Sequence, residues 1–327
     1  MKYYPAVAGF FLKKMNKFNF KGRDIIDIND FSKEELLFIL KMAKKFDPEY
    51  VKSDRSNYTI AQGKIAGLLF FEQSTRTEQS FRSAAQKIGM GIIGFNDPQS
   101  TSIHKGESFP DTIRIMDSYA DCLIIRHPKG GAAKDAAEVA AIPVINAGDG
   151  PNQHPTQTIL DLYTIQKVAG KLEGITVALM GDLKYGRTVH ALSIALSHFN
   201  VKQIFISHPS LAMPQEYLNI LKTRNRKYEV WEKLSMDLEG VDFLYQTRVQ
   251  KERFANLNEY KKIKDLFILD KSFKKYLDRG VKLMHPLPRV NEIDPELDAH
   301  PNAIYFQQAR NGLYIREALL ALVLGRL

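Results

Sequence analysis

Short runs of apolar residues recur down this chain, each long enough for one buried strand and too short for a core helix. Residues 65–71, 91–95, 122–125 and 142–145 form a first series, and residues 175–180, 203–206, 241–245 and 281–284 form a second. Helical or polar stretches separate them. Strands of this kind build parallel sheets covered by helices. The pattern predicts an α/β fold of two domains, each with a mostly parallel sheet flanked by helices. The join falls near residue 155, with the active site in the cleft between the two. A chain of 327 residues with 44% apolar content holds enough material for two cores. In open parallel sheets a ligand sits beyond the carboxyl ends of the strands. The residues that follow each run are therefore where function is expected.

The first such stretch reads FFEQSTRTEQSFRSAAQKIG, from Phe70 to Gly89. Phe81, Ala84, Ala85 and Ile88 share one helical face, and Gly89 stops the helix. Ser74, Thr75, Arg76 and Thr77 then lie at a helix N-terminus, where unpaired N–H groups and the macrodipole favour an anion such as phosphate. Taken alone, Ser-Thr-Arg-Thr is better explained by an N-cap and a solvated charge. Arg126, in Arg-His-Pro after the third run, offers a second clamp on phosphate oxygens. His154 follows a glycine turn in GDGPNQHPTQ, and Pro155 suits the first position of a helix. A histidine there can donate to a substrate carbonyl, and Gln157 can hold an amide. A Ser/Thr-rich loop over residues 96–106 carries Ser102 and Lys105.

In the second series Arg187 follows GDLKYG, while Arg248 and Gln250 lie in YQTRVQ. Two guanidinium groups suit a dicarboxylate, although singly each arginine is as well a surface charge or an ion-pair partner. His-Pro-Leu-Pro-Arg over residues 285–289 is a rigid turn after a strand. It would face backbone carbonyls into the cleft, with a cis bond between Leu287 and Pro288. Helices are expected over residues 32–46, where Ser32 and Glu35 form a capping box, and over 111–120, 157–168 and 312–324.

Composition removes several classes. Cys122 is the single cysteine, which excludes an intrachain disulfide and a cysteine zinc cluster and points to an intracellular, cytoplasmic protein. The net charge of +9 is spread over scattered basic pairs. Those read as solvated faces and as steering for anionic substrates, not as a nucleic-acid module. Residues 1–23 carry six basic residues and no acid. The apolar segment 5–12 within them is too short to span a bilayer, and the basic residues mostly follow it, unlike a signal peptide. A loosely ordered extension is expected, and no membrane contact. Neither a Walker A motif nor a G-x-G-x-x-G spacing occurs.

The motifs FFEQSTRT, STSIHKGES, RHP, NAGDGPNQHPTQTILDLYTI, MGDLKYGRTVHAL, YQTRVQKERF, HPLPRV and NGLYIREALLALVL, in that order, resemble the catalytic chains of the aspartate carbamoyltransferase family. The resemblance spans about Ile25 to Leu324. Pro286 stands where ornithine-type relatives carry a cysteine, which favours aspartate as acceptor. The resemblance implies that Ser74, Thr75, Arg76, Thr77 and Arg126 bind the phosphate of carbamoyl phosphate. Thr77, Arg126 and His154 would polarise the carbamoyl oxygen, and Gln157 and the Leu287 carbonyl, in the turn with Pro288, would hold its amino group. Arg187, Arg248, Gln250 and Lys105 would bind L-aspartate. It also implies a homotrimer in which Ser102 and Lys105 enter a neighbouring subunit's site, possible regulatory chains, no cofactor and no metal. The first domain would cover 1–155, with the final helix, 312–327, packing back on it, and the second 156–311. Glu78 departs from the family's commonest residue there, arginine. An acid suits the helix dipole but would lower the local positive potential.

Overall fold

The computed structural model describes residues 18–51, 59–234, 238–249, 260, 263 and 265–327. Most of the basic extension lies outside them, as does Gln250. Two sheets form, one from each series. The first holds β1 (Ile65–Phe70), β2 (Gly91–Phe95), β3 (Cys122–His127) and β4 (Val144–Asp149) in the order β2-β1-β3-β4. The second holds β5 (Thr176–Met180), β6 (Lys202–Ile206), β7 (Tyr228–Trp231), β8 (Phe243–Gln246) and β9 (Lys282–Met284) in the order β7-β6-β5-β8-β9. Every pairing within them is parallel.

The helices that connect and cover the strands are α1 (Lys33–Ala43), α2 (Thr75–Lys87), α3 (Phe109–Asp117), α4 (Ala132–Val139), α5 (Pro155–Ala169), α6 (Arg187–Leu196), α7 (Gln215–Thr223), α8 (Lys274–Asp278) and α9 (Tyr305–Val323). The expected capping box starts α1: Ser32 Oγ accepts from the Glu35 N–H, and Glu35 Oε2 from the Ser32 N–H. Helix α2 ends before Gly89, whose φ of +86° is a left-handed stop. No helix among the described residues is long and apolar enough to cross a membrane.

Several elements differ from the sequence reading, and three of the differences have a clear physical reason. Strand β3 runs on through Arg126 and His127, with a register shift between Ile125 and His127. Two polar residues are thus held by the sheet rather than by a loop. Helix α9 begins at Tyr305, seven residues before the expected start, because Gln308 and Asn311 occupy its buried face where apolar residues would have shown the period. Strand β7 has no counterpart in the sequence reading. It is a partly exposed edge strand, so its four residues lack a fully apolar run.

Helices α5 and α9 lie together at the centre and join both halves in one core with α1 and α2. At the C-terminal end of α5, Lys167 bonds Asp47 at 2.6 Å and Glu49 at 2.7 Å, and the Tyr163 hydroxyl donates to Asp47 at 2.7 Å. Lys167 and Asp47 side chains are only 5% and 1% exposed. Burial opposes the Lys167 charge, yet its bonds to the two carboxylates outweigh that and raise its pKa. Lys167→Met strands the Asp47 carboxylate and is expected to cost about 3–5 kcal/mol in urea unfolding. A loss within about 1 kcal/mol would mean that the pair contributes no more than a surface bridge.

Candidate active site

The carboxyl edges of the two sheets face a common cleft of about 570 Å³. Among the described residues five arginines line it, namely Arg76, Arg126, Arg187, Arg248 and Arg316, against a single carboxylate, Glu72. Local folding explains how each side arrives there. Ser74 is the N-cap residue of α2, but its side chain makes no capping bond, so the first-turn N–H groups are left to a ligand. Burial, with the neighbouring Arg126 charge, lowers the Arg76 pKa. Arg126 donates to the Ala147 carbonyl at 3.2 Å and pairs with Glu72 at 3.2 Å, while its buried Nε has no hydrogen-bond partner.

Asp149 folds the loop after β4. Its carboxylate accepts from the backbone of Gly131 and Gln153 and from the side chains of Asn146 and Asn152, at 2.8–3.0 Å. That loop delivers His154 to the start of α5, almost fully buried, with Nδ1 at 3.4 Å from Thr156 Oγ1. Burial, then the charges of Arg187, Arg316 and Arg126, hold its pKa well below the ordinary imidazole value. His154 is therefore a neutral donor at physiological pH, not an acid. Its ring carbon proton shifts in NMR are expected to stay flat from pH 8 to pH 6. A titration centred near 6.5 would contradict that.

From the second sheet, Asp182 Oδ1 accepts from the Tyr185 N–H at 2.9 Å and shapes the turn before α6. Arg187, first in that helix, donates to the Gly150 carbonyl. Gly148, at φ +115°, lies beneath two guanidinium groups. A Cβ there would meet Arg126 Nη1 at 2.7 Å and Arg187 Nη2 at 3.1 Å. An arginine of each half thus reaches the same point. Gly181 is required likewise, because a Cβ would meet the Thr247 carbonyl at 2.2 Å, beside Arg248.

The 285–289 turn has the expected cis bond between Leu287 and Pro288. Leu287 sits at φ +54°, and its N–H donates to His285 Nδ1 at 2.8 Å. His285 Nε2 therefore carries the proton and donates to Glu292 at 2.8 Å.

Of the residues expected in the site, Ser74, Arg76, Thr77, Arg126, His154, Gln157, Arg187, Arg248, Leu287 and Pro288 line this cleft. Thr75 does not, being exposed in the first turn of α2. Ser102 and Lys105 do not either; they sit exposed on a short 3₁₀ turn, Ser102–Lys105, after β2. Glu78 corrects the sequence expectation. It is buried, it bonds Arg82 at 2.8 Å and Asn96 at 3.1 and 3.2 Å, and it does not line the cleft. Its charge is neutralised along the helix rather than subtracted from the anion site. Arg316, Ser80, Gln308 and Tyr185 also line the cleft without having been read from the sequence. Arg316 had one signal, a cation in the apolar run 312–324, where the one other charged residue is Glu317. It is fully enclosed, donates to Ser80 Oγ at 2.8 Å and lies over the Phe81 ring, and burial pushes its pKa down to about 10.

A family model for the aspartate/ornithine carbamoyltransferase carbamoyl-P binding domain matches residues 23–167, and one for the Asp/Orn binding domain of the same family matches 173–323. The chain belongs to the aspartate/ornithine carbamoyltransferase family. The aspartate carbamoyltransferase catalytic subunit of Thermococcus kodakarensis is 50% identical over 94% of this chain and 98% of its own. That of Phocaeicola vulgatus is 47% identical over 93% and 96%. The catalytic subunit of M. jannaschii aspartate transcarbamoylase superposes with a TM-score of 0.86 at 44% identity, over 93% of this chain and 98% of that one. Aspartate transcarbamoylase from Trypanosoma cruzi, in complex with N-(phosphonacetyl)-L-aspartic acid, gives 0.85 at 37% identity, over 93% and 97%. Within this family an arginine-lined cleft between two parallel sheets is suited to two anionic substrates at once.

Proposed function

We propose that this protein transfers the carbamoyl group of carbamoyl phosphate to the α-amine of L-aspartate, giving N-carbamoyl-L-aspartate and phosphate, an early step of pyrimidine synthesis. The observation that carries the reading is the convergence of five guanidinium groups from both halves of the chain on one cleft, with Arg126 and Arg187 meeting over Gly148. One substrate is a phosphoryl dianion and the other a dicarboxylate, and both need bidentate donors. Ser74, Arg76, Thr77 and Arg126, which line the cleft, hold the phosphate at the start of α2. Arg187 and Arg248, with Gln250 and a neighbour's Lys105, hold the aspartate carboxylates.

The neutral amine of aspartate attacks the carbamoyl carbon, and negative charge grows on the carbonyl oxygen. Thr77, Arg126 and neutral His154 donate to that oxygen, which is electrostatic catalysis worth about 10²–10³ for each donor. Gln157 and the Leu287 carbonyl, fixed by Pro288, accept from the carbamoyl amino group. The carbon–oxygen bond to phosphate then breaks, and the phosphate takes the proton shed by the nitrogen. Holding both reactants in one cleft supplies the proximity. This chemistry draws on no cofactor.

On the same reading the chain divides into a carbamoyl phosphate unit over 1–155, joined by the segment 312–327, and an aspartate unit over 156–311. It works in the cytoplasm as a homotrimer whose sites are completed by Ser102 and Lys105 of a neighbouring subunit. The direct test is a colorimetric assay for N-carbamoyl-aspartate, with ornithine as the competing acceptor and mass determination in solution. Product from aspartate and not from ornithine is expected, at a mass of three chains. Phosphate release without carbamoylated aspartate would refute the reading.

A further inference from the structure

The cleft has a carboxylate behind it that the reaction as described leaves unused. Asp161, on the buried face of α5, is fully enclosed and, among the described residues, pairs with no lysine or arginine at salt-bridge distance. Instead it accepts three neutral donors from three elements. Gln157 Nε2 reaches Oδ1 at 2.9 Å, Gln308 Nε2 of α9 reaches the same oxygen at 2.7 Å, and the Tyr245 hydroxyl of β8 reaches Oδ2 at 2.9 Å. Gln308 continues the chain, because its Oε1 accepts from the His285 N–H at 2.9 Å, and His285 Nδ1 in turn accepts from the Leu287 N–H at 2.8 Å.

A buried carboxylate with no cation in contact is expensive to hold, and a neutral amide or hydroxyl could accept from the same donors at less cost. Packing alone therefore gives little reason for an acid here. The geometry gives another. Two groups line the cleft as acceptors for the carbamoyl amino group, the Gln157 amide oxygen and the Leu287 carbonyl, and both are tied to this one side chain. Gln157 is tied directly, and Leu287 through Gln308 and His285. An amide has two ends of similar size and opposite polarity. With its NH₂ committed to Asp161, Gln157 turns its oxygen to the cleft. Without that acceptor the amide is free to turn over and present a donor to a donor.

We propose that Asp161 is a positioning residue that sets the polarity of the Gln157 amide and the aim of the 285–288 turn, and so makes the site select an amino group on the transferred carbonyl. This rests on the carbamoyl-transfer reading above and deepens it. The probe is acetyl phosphate, which carries a methyl where carbamoyl phosphate carries the amino group.

Asp161→Leu, Asp161→Asn and Gln157→Ala, alone and with Asp161→Leu, are compared for kcat and KM with each donor, with thermal melts alongside. Asp161→Leu should lower kcat with carbamoyl phosphate by about 10²-fold and shrink the preference over acetyl phosphate by about tenfold or more. Asp161→Asn keeps Oδ1 as an acceptor for both amides and should recover most of the loss. Adding Gln157→Ala to Asp161→Leu should cost little more, since Gln157 acts only while Asp161 orients it. An unchanged donor preference in Asp161→Leu, or a full additive loss in the double variant, overturns the proposal. If Asp161→Leu does not fold, Gln308→Met cuts the arm to His285 and should lower kcat and the donor preference together; unchanged values of both overturn it. Absence of N-carbamoyl-aspartate from the unmodified protein would refute the reaction itself, a separate outcome.

Discussion

Arg76→Ala is expected to lose about 10³-fold or more in kcat/KM for carbamoyl phosphate while melting within a few degrees of the unmodified protein. The two halves of that expectation have separate grounds. Arg76 makes no hydrogen bond or ion pair among the described residues, and it is only half-buried in the first turn of α2. Removing such a side chain changes stability by about 0.5 kcal/mol at most. Its value lies in what the cleft is for. Burial and the Arg126 charge both disfavour its positive form, so an anion beside it would relieve that repulsion. On the proposed reading the guanidinium would give the phosphate two parallel donors, and they would matter more as the carbon–oxygen bond breaks and charge moves onto the leaving group. Arg76→Lys keeps the charge but not the fork, and should fall between the two. Initial rates with each substrate varied, beside a thermal melt, check both halves. Near-normal turnover would remove the phosphate site from this helix end, and a collapsed melt would make Arg76 a structural residue.

How much of this was legible in the sequence depends on how each residue advertises itself. Central strands such as β1 and β3 are buried on both faces and read as unbroken apolar runs, so their positions and the parallel class followed directly. The ligand edge followed from topology, which is why ten of the expected residues line one cleft. The failures share a cause. An edge strand, β7, and the first turns of α9 bury polar side chains or few side chains, and periodicity sees only apolar ones. Asp161 was hidden for the converse reason. It sits in TILDLYTI, where one acid in an apolar stripe gives no hint that three donors from α5, β8 and α9 meet on it. Glu78 was legible as an acid near an anion site, but its partner Asn96 lies eighteen residues on, and only folding brings them together. Sequence patterns report which elements exist and which ends matter. They do not report hydrogen bonds across elements, and those set the polarity of this site.

Lys105 supplies the sharpest test of what one chain leaves incomplete. It lies exposed on its turn and lines no part of its own chain's cleft. The start of that loop borders an apolar surface beside edge strand β2. There Ile115 and Tyr119 are 50% and 60% exposed, and Tyr119, Met116 and Phe95 share a shallow hollow with Ser100 and Thr101. Exposed apolar groups gathered at a sheet edge mark a contact surface. A neighbour seated there would bring the loop toward the neighbour's arginines. Lys105→Ala should then be as inactive as Arg76→Ala, because each removes a cation from every site, by different routes. When the two variants are co-expressed under different tags, mixed assemblies of the proposed trimer should regain activity that neither parent has. A site is complete only where a Lys105→Ala chain supplies Arg76 and its neighbour, an Arg76→Ala chain, supplies Lys105. Random assembly around a ring meets that condition at about one quarter of sites. Purification through both tags in succession should raise the fraction further, since the pure parental trimers are discarded. A doubly tagged assembly of three chains with no more activity than its parents would place Lys105 and Arg76 in the service of the same chain, and each cleft would then have to work with the five arginines it already holds.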